Sequence, residues 1–254
     1  MFFSPEKCIG CKKCRDICPK GCHEFSDNVH IYKRERCVAC GSCDTACITD
    51  AMRSVGYEKS VSEITDEVLK DKIFYENSGG GITLSGGEPM YQFDFTYELL
   101  KSAKKNNLHT CLETCGFSKW ENFEEISDLV DIFLFDYKET NPEKHKKFTG
   151  VSNELILSNL KMLDEKGNNI ILRCPIIPGL NDTKEHFNGI AQTANALKNI
   201  REINIEPYHP LGEGKARMLG RDYPLEALTF PDDKTVEKWI KQISSITDVT
   251  VKKA

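Results

Sequence analysis

From about Val61 onward, apolar positions recur at helical spacing in some stretches and form short continuous runs between them. Val61 to Asn77 places Ile64, Val68, Leu69 and Ile73 on one helical stripe, and Ile82 to Ser85 then reads as a short strand. A helix over Phe93 to Asn106 leads to a strand over His109 to Glu113. A helix near Asn122 to Leu129 leads to Asp131 to Tyr137, whose Ile-Phe-Leu-Phe run is that of a buried strand. Ser152 to Lys166 leads to Asn169 to Ile177, and Lys184 to Lys198 leads to Arg201 to Tyr208. A last helix, Asp232 to Ile246, precedes a strand at Val249 to Val251. This repeated alternation predicts an α/β fold with a parallel sheet or barrel and crossover helices. Sites in such folds gather at the C-terminal ends of the strands.

The first 57 residues do not share that rhythm. They carry two copies of C-x-x-C-x-x-C-x-x-x-C: Cys8, Cys11, Cys14 and Cys18 before Pro19, then Cys37, Cys40, Cys43 and Cys47 before Ile48. The first copy matches the bacterial ferredoxin signature, in which three closely spaced thiolates wrap one face of a cubane and a distant fourth closes it. In two-cluster ferredoxins the fourth cysteine of each run serves the other cluster. One [4Fe-4S] cluster is therefore expected on Cys8, Cys11, Cys14 and Cys47, and a second on Cys18, Cys37, Cys40 and Cys43. A zinc site is the first alternative, but three cysteines at two-residue gaps overfill paired zinc knuckles. A disulfide framework suits small secreted chains, and Met1 to Lys7 has no apolar run resembling a signal peptide.

Composition narrows the partners. The 254 residues carry a net charge of −5 without any extended Lys/Arg run, which argues against nucleic acid. No apolar stretch approaches the roughly 20 residues of a membrane span, and the longest candidate, Ile170 to Leu180, is broken by Arg173, Pro175 and Pro178. A cytoplasmic location is expected from that and from the thiol-rich N-terminus. Nine of the twelve cysteines precede residue 48, so the expected division is a ferredoxin-like domain over 1-57 and an α/β domain over 58-254. Gly10, Gly21 and Gly41 give the cysteine loops backbone freedom.

The stretch Ser78-Gly79-Gly80-Gly81-Ile82-Thr83-Leu84-Ser85-Gly86-Gly87-Glu88-Pro89 flanks a short strand with two glycine clusters. It is neither a phosphate loop, since no Lys-Ser or Lys-Thr follows, nor a dinucleotide fingerprint, since Leu84 stands where the last glycine belongs. It resembles the segment carrying the GGE motif of radical S-adenosylmethionine (AdoMet) enzymes, and most closely that of the glycyl-radical-enzyme activating enzymes, such as the one acting on pyruvate formate-lyase. The resemblance continues through HTCLETCG (109–116), LFDYK (134–138), HKKFTGVSNELILSNL (145–160), LRCPIIPGLND (172–182) and EPYHPLGEGKARMLG (206–220), covering nearly all of residues 61–254 in order.

The resemblance implies a partial (β/α)6 TIM-like barrel lacking its first strand. It implies that backbone around Gly86 and Gly87 receives the AdoMet amino group, that Asp136 and Lys138 are further AdoMet contacts with Lys138 pairing the carboxylate, and that His209 contacts the nucleoside. The partners implied are a glycyl radical enzyme as protein substrate and an electron donor such as flavodoxin or ferredoxin. The chain departs from the family pattern at Glu113-Thr114-Cys115-Gly116, and Cys22, Cys111, Cys115 and Cys174 fall outside the cluster runs and are read as small buried hydrophobes or unassigned thiols.

The family's cluster motif, C-x-x-x-C-x-x-C, occurs nowhere: the cysteine needed after Cys14-Cys18 is Gly21, after Cys43-Cys47 it is Asp50, and after Cys111-Cys115 it is Ser118. No catalytic residue is therefore assigned. The expectation is that Met1 is an internal methionine, that the third [4Fe-4S] cluster and AdoMet belong to a longer product, and that the chain as it stands is inactive in AdoMet cleavage. The competing expectation is a two-cluster electron carrier or docking module with no catalysis of its own.

Overall fold

The computed structural model describes residues 1–254 apart from Asn28 and Glu226. The chain divides into two units, one made of Met1–Glu58 and His209–Leu228, the other of Lys59–Tyr208 and Thr229–Ala254.

In the first unit the two cysteine runs fold alike. Each begins with a single 3-10 turn, Pro5–Lys7 or Arg34–Arg36, whose first carbonyl accepts from the N–H of Cys8 or Cys37. Each ends in a short helix, α1 (Lys13–Ile17) or α2 (Ser42–Thr45). Between turn and helix the chain enters the left-handed region at matching places: Gly10 and Ala39, Lys12 and Gly41, then Gly21 and Asp50 beyond the helices. Half of these positions carry a Cβ, at a cost of about 1–2 kcal/mol each. Such conformations persist only where surrounding contacts overdetermine them.

Strand β1 (Phe2–Phe3) pairs antiparallel with β4 (Met52–Arg53), and β2 (His23–Ser26) pairs antiparallel with β3 (Val29–Tyr32), placing Phe25 opposite His30. The buried apolar centre of this unit is small: Phe3, Cys14, Cys43 and Met52. The segment 209–228 is tied in by Arg34, which donates to the carbonyls of Met1 (3.0 Å) and Met218 (2.6 Å) while its guanidinium lies over the Tyr32 ring.

The second unit is a six-stranded sheet in which every pairing is parallel: β5 (Gly81–Leu84), β6 (His109–Thr114), β7 (Ile132–Asp136), β8 (Ile170–Ile176), β9 (Ile200–Pro207) and β10 (Thr250–Lys253). Neighbours in the sheet are neighbours in sequence, the strand order of a (β/α) barrel, with β5 and β10 at the open edges. Parallel neighbours need crossovers. These are supplied by α5 (Phe93–Lys105), α6 (Trp120–Ile126), α7 (Pro142–Thr149), α8 (Glu154–Glu165), α9 (Lys184–Ala196) and α11 (Asp233–Ser244), α10 (Gly212–Met218) lying in the first unit. Alternate strand residues, among them Leu112, Phe133, Phe135, Leu172, Cys174, Ile203 and Ile205, pack with Leu100, Phe123, Leu160, Ile190 and Trp239 of the helices into one core. A fully buried side chain of that size contributes about 1.5–3 kcal/mol.

The pattern-based elements of the second unit match to within a few residues, with two departures. The stripe read as one helix over 61–77 is two, α3 (Val61–Leu69) opened by a Ser60/Glu63 capping box, and α4 (Lys72–Ser78). Ile73 stays 64 % exposed, because α4 buries none of its residues. The second departure is α7, which periodicity missed because it has few apolar residues; its signal is Asn141-Pro142, with the Asn141 side chain capping Glu143 and Lys144. Among the described residues no helix is long and apolar enough to cross a membrane.

Candidate cofactor sites

The cysteines of the first unit line two separate hollows. One is bounded by Cys8, Cys11, Cys14 and Cys47; the other by Cys18, Cys37, Cys40 and Cys43 together with Cys22. The fourth thiol of each run thus faces the other run's first three. Several sulfurs already receive N–H donors: Met52 N–H reaches Cys47 Sγ at 3.4 Å, Cys22 N–H reaches Cys18 Sγ at 3.4 Å, and Ala39 N–H reaches Cys37 Sγ at 3.3 Å. Such bonds stabilise thiolate, the form that ligates metal. At Cys47 and Cys18 they outweigh burial and hold the thiols below the ordinary value, whereas burial, reinforced by the charges of Cys8 and Cys11, pushes Cys14 up to about 11. Four thiols around each hollow form the donor set a cubane requires.

In the second unit the sheet face opposite the helices is polar toward the strand ends. Strand alternation and register place Glu113 (β6), Asp136 (β7), Arg173 (β8), and Asn204 and Glu206 (β9) on it. Four contacts tie them together in two groups: Ser85 Oγ donates to Glu113 Oε2 at 2.8 Å, Arg173 Nη1 pairs with Glu113 Oε1 at 2.7 Å and Arg173 Nε pairs with Glu206, while Lys138 pairs separately with Asp136. Three carboxylates stand against two cations, each side chain no more than about a third exposed. Burial pushes the Asp136 carboxyl up, with Lys138 and Arg173 opposing it. The Oδ1 of Asn204 is buried without a partner.

The glycine loop adjoins this face through Glu88. Its carboxylate accepts from Met90 N–H, from Thr114 Oγ (2.7 Å) and from Cys115 N–H (2.7 Å), so it fastens the loop to the end of β6. Gly86 has φ +125° and nothing within 4 Å of its absent Cβ, so backbone is bare there. Gly116 answers to packing: a Cβ would sit 2.2 Å from the Phe135 ring.

Of the residues singled out from sequence, Gly86, Gly87, Asp136 and Lys138 lie in this unit, at the ends of β5 and β7. His209 is exposed, stands two residues past β9, and is the first residue of the segment grouped with the cysteine unit. Sequence reasoning gave no role to Arg173 and Glu206, although both lie in segments that carry the resemblance (172–182 and 206–220), nor to Asn204, which lies outside them. Other motif residues are braces. Asn181 donates to the carbonyls of Lys138 (2.9 Å) and Pro175 (2.8 Å), and Asn153 to those of Glu139 and Thr140. Cys174 is wholly buried and Cys115 is pushed up to about 11 by burial and Glu88, as befits unreactive thiols.

Comparison with known proteins supplies what geometry alone does not. The family model of the Radical SAM superfamily matches residues 34–207, and that of the 4Fe-4S binding domain matches residues 1–22. The choline trimethylamine-lyase activating enzyme of Oleidesulfovibrio alaskensis is 36% identical over 251 residues, 95% of this chain and 81% of that protein. The trans-4-hydroxy-L-proline dehydratase activating enzyme of Clostridioides difficile is 36% identical over 263 residues, 99% of this chain and 84% of that protein. In fold, the chain resembles the crystal structure of a domain of pyruvate-formate lyase-activating enzyme from Bacteroides vulgatus, with a TM-score of 0.58, 23% identity, and coverage of 69% of this chain and 99% of that domain.

Proposed function

This chain belongs to the radical SAM superfamily and, within it, to the glycyl-radical-enzyme activating enzymes, and we propose that its polar sheet face binds AdoMet while its cysteine unit holds two [4Fe-4S] clusters. The observation that carries the first half is the surplus of one negative charge among Glu113, Asp136, Glu206, Arg173 and Lys138. AdoMet brings a sulfonium, an ammonium and one carboxylate, a net charge of +1. The ammonium suits bare carbonyls around Gly86 and Gly87 and the unpartnered Asn204 Oδ1. The carboxylate suits Lys138, whose backbone Asn181 holds still. From the sequence resemblance, His209 is proposed as a nucleoside contact.

When bound, AdoMet and iron–sulfur clusters supply the one-electron and radical chemistry. The residues of this chain bind, orient and shield. Arg173, held from both sides by Glu113 and Glu206, keeps those carboxylates fixed in place, so the face does not reorganise as a cationic ligand arrives. In the cysteine unit, Cys8, Cys11, Cys14 and Cys47 would hold one cluster and Cys18, Cys37, Cys40 and Cys43 the other. The protein substrate is a glycyl radical enzyme, and the electrons come from a flavodoxin or ferredoxin. Relatives named for choline trimethylamine-lyase and trans-4-hydroxy-L-proline dehydratase stand at the same identity, 36%.

Anaerobic reconstitution followed by calorimetry with AdoMet tests the reading. Retention of about eight irons per chain and saturable AdoMet binding is the expected result. A protein that keeps its iron but does not bind AdoMet overturns the assignment of the sheet face.

A further inference from the structure

Although the two cysteine runs are near copies, among the described residues an imidazole hydrogen-bonds to the sulfurs of one of them alone. His30, on β3, faces the first hollow, with Nδ1 3.4 Å from Cys8 Sγ and Nε2 3.9 Å from Cys14 Sγ. Its ring is held between Phe3 and Phe25, each with its centroid 4.5 Å away, the Phe25 ring stacked at 14°. Its Nε2 lies 2.9 Å from Nδ1 of His23, which is itself buried and stacked on Tyr32. The sulfurs of the second hollow have backbone N–H groups and the Ser42 hydroxyl beside them, and among the described residues no imidazole hydrogen-bonds to any of them.

We propose that His30 is a hydrogen-bond donor to the Cys8 sulfur of the first cluster and sets that cluster's reduction potential apart from the second. This rests on the two-cluster reading above. The tautomer follows from the partners. A sulfur bound to iron carries negative charge, so Nδ1 of His30 must present its proton to Cys8. Its Nε2 is then an acceptor and takes the Nδ1–H of His23. That leaves His23 Nε2, which has no partner, without a proton to offer the second hollow that His23 lines. The histidine pair therefore acts on one cluster only. Reduction adds one electron to a cluster and breaks no bond, and an N–H aimed at a ligand sulfur stabilises the more negative product, raising the potential.

Cys14, His23 and His30 also bring three ligand atoms within 4.8 Å of one another. A structural zinc site takes four ligands, and Cys14 already belongs to the first hollow.

Potentiometric titration of the reconstituted full chain with dithionite, read by electron paramagnetic resonance, separates the outcomes, with iron and zinc counted in each sample. His30→Phe keeps the ring packing and removes the donor, and His30→Asn puts an N–H where Nδ1 stood. The expected result is that His30→Phe moves one of the two one-electron steps to lower potential and leaves the other in place, while His30→Asn brings it back. Ser42→Ala should move the other step. Both steps unmoved, or both moved together, in protein with its full iron overturns the inference, as does one zinc per chain lost on replacing His30. If His30→Phe loses iron, His30→Asn decides: a wild-type step supports the donor, and a lowered step overturns it. Loss of iron from wild-type protein on reconstitution would instead strike the two-cluster reading.

Discussion

The two units are stabilised by different means. The parallel sheet buries apolar residues from β5 to β9 and from α5, α6, α8, α9 and α11 in a single core, whereas the cysteine unit has four buried apolar residues at its centre, two of which, Cys14 and Cys43, are proposed metal ligands. A core that small does not offset chain entropy, so small cysteine-rich folds draw on metal binding for folding free energy. In this molecule chemistry stabilises one region and packing the other.

Removing iron is the largest perturbation of that contrast. Amide exchange should show backbone protection lost over residues 1–58 on chelation and retained over β6 to β9; equal loss in both units would contradict the division. Iron uptake by the stripped unit should fall as pH drops, because burial pushes Cys14 up to about 11 and iron must displace that proton, a competition read from ferrous uptake between pH 9 and 7. Next in size is Leu172→Ala, which empties a wholly buried site in β8 and should cost about 2–5 kcal/mol in denaturant titration while leaving iron content unchanged. Lys138→Ala should weaken AdoMet binding about tenfold or more, the worth of a charged hydrogen bond, without shifting the melting of either unit. The smallest effect is Ala39→Gly: Ala39 sits at φ +53°, and glycine relieves that strain against a larger unfolded-state entropy, for a gain of about 0.5 kcal/mol in the cysteine unit alone.

Some of these features are legible in the order of residues alone. Strands such as Ile132–Asp136 and helices such as Phe93–Lys105 are contiguous and strongly patterned, so periodicity reveals them. The helix at Gly212–Met218 has no such signal, since its two glycines argue against helix, and Pro142–Thr149 has too few apolar residues to show a stripe. Asp136 and Lys138 stand out through a motif. Their companions Arg173 and Glu206 also lie in motif segments (172–182 and 206–220) but receive no role there, because nothing local distinguishes a charged residue facing a ligand from one facing water.

Cysteine spacing, strand and helix periods and glycine placement are properties of neighbouring residues, and they are enough to specify the kind of loops and the alternation of the sheet. That residues as far apart as Ser85, Glu113, Asp136, Arg173 and Glu206 share one face depends on the register of parallel strands joined by long crossovers. Register is a property of the assembled sheet, since a shift of one residue turns every side chain to the opposite face while the sequence stays the same.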